Sequence, residues 1–425
     1  MNKLTTKYLI IGAGISGLTF AEYAKNNYLI IEKENEVGGY CRTIKRGDYT
    51  WDYAGHFFHF KTEEFKNKFL GNVQSDDIIQ NEKCTKILYK DSIIDFPFQQ
   101  NIHQLNKDEF IDCLYDLFNK EEKDHYDNFL DMLYGKFGKS ITEKFLKPYN
   151  EKLYAVDLTK LDVDAMGRFF PYADKESIIN NMKNSNNKNS YNSTFLYPKN
   201  GAASFINIIY NKLNKDNILL NTSLVSVDFE NKEATLSNGD IVNYEYLINT
   251  MPLNHFLKLI GGHDDLLSKM SYNKVLVFNL GFDKSSQLFK KEHWLYIPSK
   301  DCNYYRLGFY NNILNQEKLS MYVEIGYSKD ANISSEEIKK QLELTLKNLK
   351  ESGIIDETMK LVDHETILMD PAYVHIETET TKIIDDLKSE FSNYNVYTIG
   401  RYGAWIYNSM EDSMVAAKTL AGKLK

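Results

Sequence analysis

Three glycines and one acid are the first residues whose spacing could do chemistry. Gly12, Gly14 and Gly17 spell G-x-G-x-x-G, and Glu32 follows at the end of the next apolar run. Set between a strand and a helix, this pattern suits a dinucleotide. Gly12 permits a tight turn, Gly14 lets a pyrophosphate approach the backbone, and Gly17 lets helix and strand pack closely. The helix N-terminus offers free N–H groups to the phosphates, and Glu32 can accept hydrogen bonds from ribose hydroxyls. A second set of polar residues lies far along the chain. His56 and His59 sit in the aromatic stretch YAGHFFHF, residues 53–60. Arg168 and Arg306 are always-charged forks that can grip a diphosphate by charge-assisted bonds, with Tyr304, Tyr305 and Tyr407 as hydroxyl donors.

These residues need elements to hold them. Residues 7–12, KYLIIG, read as a fully buried strand, 15–25 as a helix and 28–32 as a second buried strand, which is the shape of a βαβ unit. Residues 62–146 mix polar and apolar residues at helical period and read as a helical insertion. The Asn/Ser/Lys-rich stretch 180–193 reads as a mobile loop, a candidate lid over substrate. Residues 217–250, 274–282 and 321–327 read as β structure and 334–352 as a helix. Residues 394–425 open with a strand, VYTIG, and close with a helix. The expected fold class is α/β: a Rossmann-like domain with a parallel sheet, a helical insertion and a β-rich substrate domain. The nucleotide domain is expected to be discontinuous, from 1–60, 195–260 and 390–425. Residues 61–194 form the helical insertion, and 261–389 a mixed α/β substrate domain.

Composition narrows the partners. The chain has 425 residues, 43% hydrophobic and 26% charged, with a net charge of -8. This is an ordinary globular composition, and its acidic balance argues against nucleic acid, which demands a basic face. Cys41, Cys84, Cys113 and Cys302 are far apart, show no C-x-x-C and no metal-ligand spacing, and read as reduced thiols. No metal site is expected. Without a long apolar run or a signal peptide, the chain reads as a soluble cytoplasmic protein with no membrane span. An oligomer is compatible with it.

Further motifs resemble a known superfamily. The stretch Glu36-Val37-Gly38-Gly39-Tyr40-Cys41-Arg42-Thr43 resembles the flavin-side motif of the amine-oxidase and protoporphyrinogen-oxidase superfamily. There, the resemblance implies, Gly38, Gly39 and Arg42 wrap the pyrophosphate and ribityl chain of FAD. YLINTMPL looks like the strand that closes the FAD domain. Thr398-Ile399-Gly400-Arg401 looks like the C-terminal turn that touches flavin, placing Gly400 and Arg401 at the cofactor. Val225 would sit near the adenine.

Within that superfamily the chain most resembles the UDP-galactopyranose mutase family, over nearly its whole length. His56 and His59 fall on that family's two loop histidines beside the flavin ring. Asp95-Phe96-Pro97-Phe98 looks like its short Pro-aromatic strand, and Tyr149 to Tyr154 like the aromatic segment around base and sugar. Gly167-Arg168 resembles the turn with the first phosphate arginine, and Asp301 to Arg306 the segment with the second. FLYPKNGAASF (195–205) resembles the return to the FAD domain, and Gly400 through Tyr407 the terminal motif with a phosphate-contacting tyrosine. The resemblance implies a mutase that interconverts pyranose and furanose forms of a nucleotide-linked sugar. Reduced FAD would act through an adduct between its N5 and the sugar. A nucleotide-sugar substrate follows, and an external reductant or NAD(P)H. The family's furanose products usually enter surface polysaccharide, so polysaccharide biosynthesis is the implied pathway. Three departures leave base and sugar open: Tyr154 replaces a usual Trp, Gly201-Ala202 a glycine pair, and Ser409 an acid, with Glu411 and Asp412 nearby. The competing readings are an FAD-dependent oxidase or dehydrogenase acting on an amine or porphyrin-like substrate, and a non-catalytic flavin-binding scaffold.

Overall fold

The computed structural model describes residues 2–25, 27–74, 77–183 and 194–424, apart from the side chain of Arg168. The apolar run near the N-terminus forms the strand Lys3–Ile11, and its last four residues are all buried, as a strand covered on both faces must be. It pairs in parallel with Tyr28–Ile31 on one side and with Ile241–Asn249 on the other. Val396–Thr398 adds a further parallel strand beside Ile241–Asn249, and Ile218–Leu219 one beside Tyr28–Ile31. The antiparallel strands Leu224–Asp228 and Glu233–Leu236 complete this sheet. Its strands thus come from three distant stretches of chain. On one face the helix Ile15–Ala24 packs Leu18, Phe20 and Ala21 with Met414, Ala417 and Ala421 of the helix Met410–Lys423.

A second seven-stranded sheet runs in the order Leu361–Met369, Asn273–Phe282, Ser320–Ser328, Arg306–Phe309, Trp294–Tyr296, Thr85–Tyr89 and Ser92–Asp95. All its neighbours are antiparallel except Trp294–Tyr296 with Thr85–Tyr89. The stretch 62–146 therefore differs from a purely helical insertion. Residues 78–95 give three short strands, Ile78–Glu82 pairing with Thr194–Pro198 and the other two extending the second sheet. Their β-branched residues alternate in burial with the polar ones, a period of two that such short segments obscure. The stretch opens with the helix Glu63–Leu70, and after the strands the helices Lys107–Asn119 and Phe129–Ile141 follow, each with an Asn cap accepting a backbone N–H. Lys147–Tyr154 follows. The helix Lys175–Lys183 takes the first residues of the expected loop 180–193, and residues 184–193 lie outside the described residues.

The second sheet is tied to the hairpin of Thr43–Arg46 and Tyr49–Asp52 at Asp52, a fully buried carboxylate at the end of that hairpin. It accepts hydrogen bonds from Thr43 Oγ1 at 2.6 Å, Tyr197 Oη at 2.8 Å and the Ala202 amide at 3.0 Å. Its backbone carbonyl takes Asn279 Nδ2, from the middle of the second sheet, at 2.9 Å. Burial lifts its carboxyl to about 6, with the three donors pulling the other way. Asp52→Ala strands three buried donors, and should lower the unfolding free energy by about 3 kcal/mol or more. Denaturant titration checks this, and a loss of a few tenths would contradict the role.

Candidate functional site

The glycine turn is shaped by close approaches. Gly12 has φ +99°, and a Cβ there would lie 2.6 Å from Thr250 Oγ1, whose hydroxyl donates to the Ile11 carbonyl at 2.8 Å. At Gly17 a Cβ would sit 2.1 Å from the Gly12 carbonyl oxygen. Gly14, the N-cap of the first helix, has open space where a Cβ would go, and no side chain caps that helix. The turn is closed by Gly38 and Gly39, both at positive φ: the Gly38 amide donates to the Ala13 carbonyl at 2.9 Å, and the chains bridge at Gly14 and Gly38. The Glu32 carboxylate accepts from the amides of Ala13 at 2.7 Å and Glu34 at 3.0 Å, so it is fixed at the rim of this cradle with lone pairs to spare. The Thr222 amide donates to the Glu32 carbonyl, which brings Val225, 53% exposed, to the same edge. Arg42 donates to the Gly39 carbonyl at 2.9 Å, stacks over the Tyr53 ring and pairs with Glu36 and Glu34. It lines a groove of about 750 Å³ with Val37, Thr43 and Lys45.

A second group of residues forms around two arginines. Arg306 opens the strand Arg306–Phe309 and lies in register with Glu324 on the next strand. Its Nε and Nη2 donate to the two Glu324 oxygens at 2.9 and 2.8 Å. Glu324 is 1% exposed and also accepts from Tyr305 Oη at 2.6 Å. Burial works against the Arg306 charge, but the carboxylate outweighs it and holds the guanidinium well above its ordinary value. Nη2 also reaches Tyr373 Oη at 3.4 Å, and Nη1 carries no hydrogen bond among the described residues. Tyr373 stacks on Tyr407 at 5.8 Å, and Arg401 sits with its guanidinium 4.5 Å from the Tyr407 ring centre and 5.2 Å from that of Tyr373. Arg401 Nη1 donates to the Asn408 carbonyl, while its buried Nε finds no partner among the described residues; neither does the buried hydroxyl of Tyr154 or of Thr398. Tyr149 reaches the group through Tyr305 and Tyr296, and Phe96 through Tyr296 at 4.9 Å. Phe169 packs edge-on to Tyr407, so the turn Gly167–Phe169 borders the pocket; the side chain of Arg168 lies outside the described residues.

His56 lies where Arg306 and Arg401 both act on it. Burial above all, then these two charges, lowers its pKa to about 4. Its Nδ1 faces the Ala54 carbonyl at 3.0 Å and so carries the proton, leaving Nε2 as a neutral acceptor. His59 is likewise held at about 4, chiefly by burial, with Nδ1 donating to the Thr194 carbonyl. It faces away from the arginines, toward Lys83 and Phe195.

Two expectations need correcting. Tyr304 does not face the pocket: just ahead of the strand Arg306–Phe309, it is fully buried in the core that holds Leu276, Phe278 and Leu307. Tyr305 gives its hydroxyl proton to Glu324, so it positions the partner of Arg306 rather than a ligand. Glu411 and Asp412 do not stand in for an acid at Ser409: Ser409 and Asp412 form a capping box, and Glu411 binds the Thr62 hydroxyl and the amides of Lys61 and Thr62. Sequence reasoning missed Glu324 and Tyr373. A lone acid inside the apolar strand SMYVEIGYS was the available signal for Glu324.

The residues present fit FAD. The open space at Gly14 admits a pyrophosphate, Glu32 stands ready for a ribose, and the unpartnered Arg401 Nε and Thr398 hydroxyl suit the polar edge of a flavin ring. Among the described residues no cluster of three or more side chains could hold a metal ion, and no helix is long and apolar enough to cross a membrane.

Comparisons with known proteins agree with this geometry. The family model of the NAD(P)-binding Rossmann-like domain matches residues 10–69. A crystal structure of reduced UDP-galactopyranose mutase superposes with a TM-score of 0.91 at 24% identity, covering 99% of this chain and 94% of that one. A protein from Exiguobacterium sp. 255-15, itself only provisionally assigned as a protoporphyrinogen oxidase, gives 0.77 at 14% identity over 99% and 98%. A redesigned putrescine oxidase gives 0.66 at 12% identity over 99% of each chain.

Two outcomes follow. Gly14→Ala meets no protein atom and no strained φ, so the apoprotein should keep its melting temperature while its flavin content falls; unchanged flavin content would place the pyrophosphate elsewhere. His56, His59, His293 and His375 are all held at about 4 by burial, against 6.5 unfolded. Between those values the unfolded chain binds more protons, so stability is lost as pH falls from 6.5 toward 4. Asp52, raised to about 6 from 3.8, acts with opposite sign, one group against four. The thermal midpoint should therefore drop between about pH 7 and about pH 5, which differential scanning calorimetry reads directly. The fold established here is thus a Rossmann-like α/β architecture shared with reduced UDP-galactopyranose mutase along nearly the full length of both chains.

Proposed function

We propose that this chain is an FAD-dependent mutase that interconverts the pyranose and furanose forms of a nucleotide-linked sugar of the UDP-galactose kind. One observation carries the reading: Arg306 and Arg401 converge on a tyrosine-lined pocket with the Nη1 group of one and Nε of the other unpartnered. That pocket borders the residues that fit a flavin, in a fold shared with reduced UDP-galactopyranose mutase. Held by the glycine turn, Glu32 and Arg401, reduced FAD would supply an electron-rich nitrogen as the nucleophile toward the anomeric carbon.

The protein's own residues bind, orient and balance charge. The Nη1 pair of Arg306 grips the departing diphosphate, whose charge grows as the glycosidic bond breaks. Glu324 holds the guanidinium plane in place without cancelling the pocket's charge, because two arginines face one acid. Tyr407 and Tyr373 add hydroxyls at the phosphate end. Arg401 steadies negative charge at the cofactor. Neutral His56 accepts a hydrogen bond through Nε2 and adds no third positive charge. Phe96, Tyr149 and Tyr154 wall the base and sugar. Arg168, on the turn beside Tyr407, is the second phosphate arginine in this reading, and an external reductant or NAD(P)H keeps the cofactor reduced. We read the enzyme as cytoplasmic and its product as a precursor for polysaccharide biosynthesis.

An amine oxidase is disfavoured by the same charges. A cationic amine would meet two arginines, and Glu324 is already taken by Arg306 and Tyr305. The test is to reduce the protein with dithionite and offer UDP-galactofuranose. Isomerisation only in the reduced state is expected; oxygen uptake with an amine and no isomerisation would hand the case to the oxidase. Arg306→Ala should weaken nucleotide-sugar binding by about 1.5–3 kcal/mol, read by calorimetric titration.

A further inference from the structure

Lys83 is a half-buried cation that the mechanism above does not use. Its Nζ lies 5.0 Å from the Phe96 ring centre and 5.3 Å from that of Trp294, and no carboxylate pairs with it among the described residues. Elsewhere the protein gives its sheltered cations partners: Arg306 has Glu324, and Lys152 donates to the carbonyls of Ile297, Ser299 and Tyr304. Aromatic faces attract an ammonium but do not neutralise it, and burial lowers Lys83 to about 8, so it is still mostly charged at neutral pH. A sheltered charge without a counter-ion is costly unless a ligand brings one.

Its surroundings say where that ligand lies. Lys83 acts on His59. Trp294 stacks on Phe57, between the two loop histidines, at 4.8 Å, and its Nε1 donates to Tyr296 Oη at 3.1 Å. Phe96 touches Tyr296, which touches Tyr149 and feels the Arg306 charge. A run of aromatic contacts through Phe96, Tyr296 and Tyr149 thus leads from Lys83 to Arg306, with a positive pole at each end. Arg306 and Arg401 form one, and Lys83 forms the other, at the histidine-loop end and separated from the first by Tyr296 and Phe96.

We propose that Lys83 is a specificity-determining residue that receives an anionic substituent on the sugar, so that the preferred substrate is a nucleotide-linked sugar acid carrying a carboxylate. The proposal rests on the mutase reading for its chemistry, but the charge match can be tested by binding alone. The diphosphate goes to the arginines and the carboxylate to the ammonium. No bond to Lys83 forms or breaks.

The experiment compares UDP-galacturonate with UDP-galactose on the flavin-loaded, dithionite-reduced protein. Binding is read by calorimetric titration, and turnover by chromatography of the pyranose and furanose forms. The wild-type chain should favour the acid by about ten- to a hundredfold, the range of one charge-assisted hydrogen bond. Lys83→Met should abolish that preference while leaving UDP-galactose binding unchanged, and Lys83→Arg should retain it. Equal binding of the two ligands by the wild type would overturn the proposal. So would a Lys83→Met variant that loses both ligands alike, or one that keeps the preference and instead slows flavin reduction by NAD(P)H. If the acid is preferred through Lys83 but neither ligand is isomerised, the anion pocket stands and the mutase reading alone falls.

Discussion

The buried carboxylate of Asp52 is the constraint on which the arrangement depends. Two stretches of chain meet on it, its own hairpin through Thr43 and the segment 194–210 through Tyr197 and the Ala202 amide, and the backbone carbonyl of the same residue ties in the second sheet through Asn279. The histidine loop begins at the next residue. A side chain one bond away from so many fixed partners has little freedom, so the loop leaves the joint in one direction. That direction carries His56 toward the arginines. A carboxylate is suited to such a joint because it offers about four acceptor positions in a small volume.

Charge is distributed around the pocket with a consistent logic. The buried acid Glu324 is bound on both oxygens, which fixes a guanidinium plane while leaving its outer edge available. The histidine nearest the two arginines stays neutral because burial and both charges act in the same direction. The tyrosines supply hydroxyls without adding charge. A chain with a net charge of -8 thus keeps a positive pocket inside an acidic exterior.

Much of this was legible before any coordinates. The glycine turn, the first two strands and the closing helix follow from apolar runs broken by glycine. The structure places Arg306, Tyr407, Tyr149 and Tyr154 in one neighbourhood, although Tyr149 and Tyr407 are 258 positions apart. What stayed hidden depended on pairing across strands. Nothing local to Arg306 says that Glu324 lies opposite it, since that is a property of register. Tyr304 and Tyr305 look equivalent as letters, yet one is buried with Leu307 in the far core and the other reaches Glu324. Residues 78–95 hid their strands because each is only four or five residues long, too short to show a clear period of two. Tyr373 gave no signal of its own: it joins the pocket only because Asn273 accepts its backbone amide and turns that segment inward.

The nucleotide sheet is assembled from both ends of the chain, and this has a consequence for how the protein is made. The apolar side of the helix Ile15–Ala24 is covered by Met414, Ala417 and Ala421. The ribosome releases the first helix long before those residues exist. At about 5–20 residues per second, the wait is roughly 20 to 80 seconds. Phe20 can meet Tyr8 at once, but throughout that interval the side of the helix meant for Met414, Ala417 and Ala421 stays uncovered, so chaperones or transient non-native contacts must shelter it until translation reaches the closing helix.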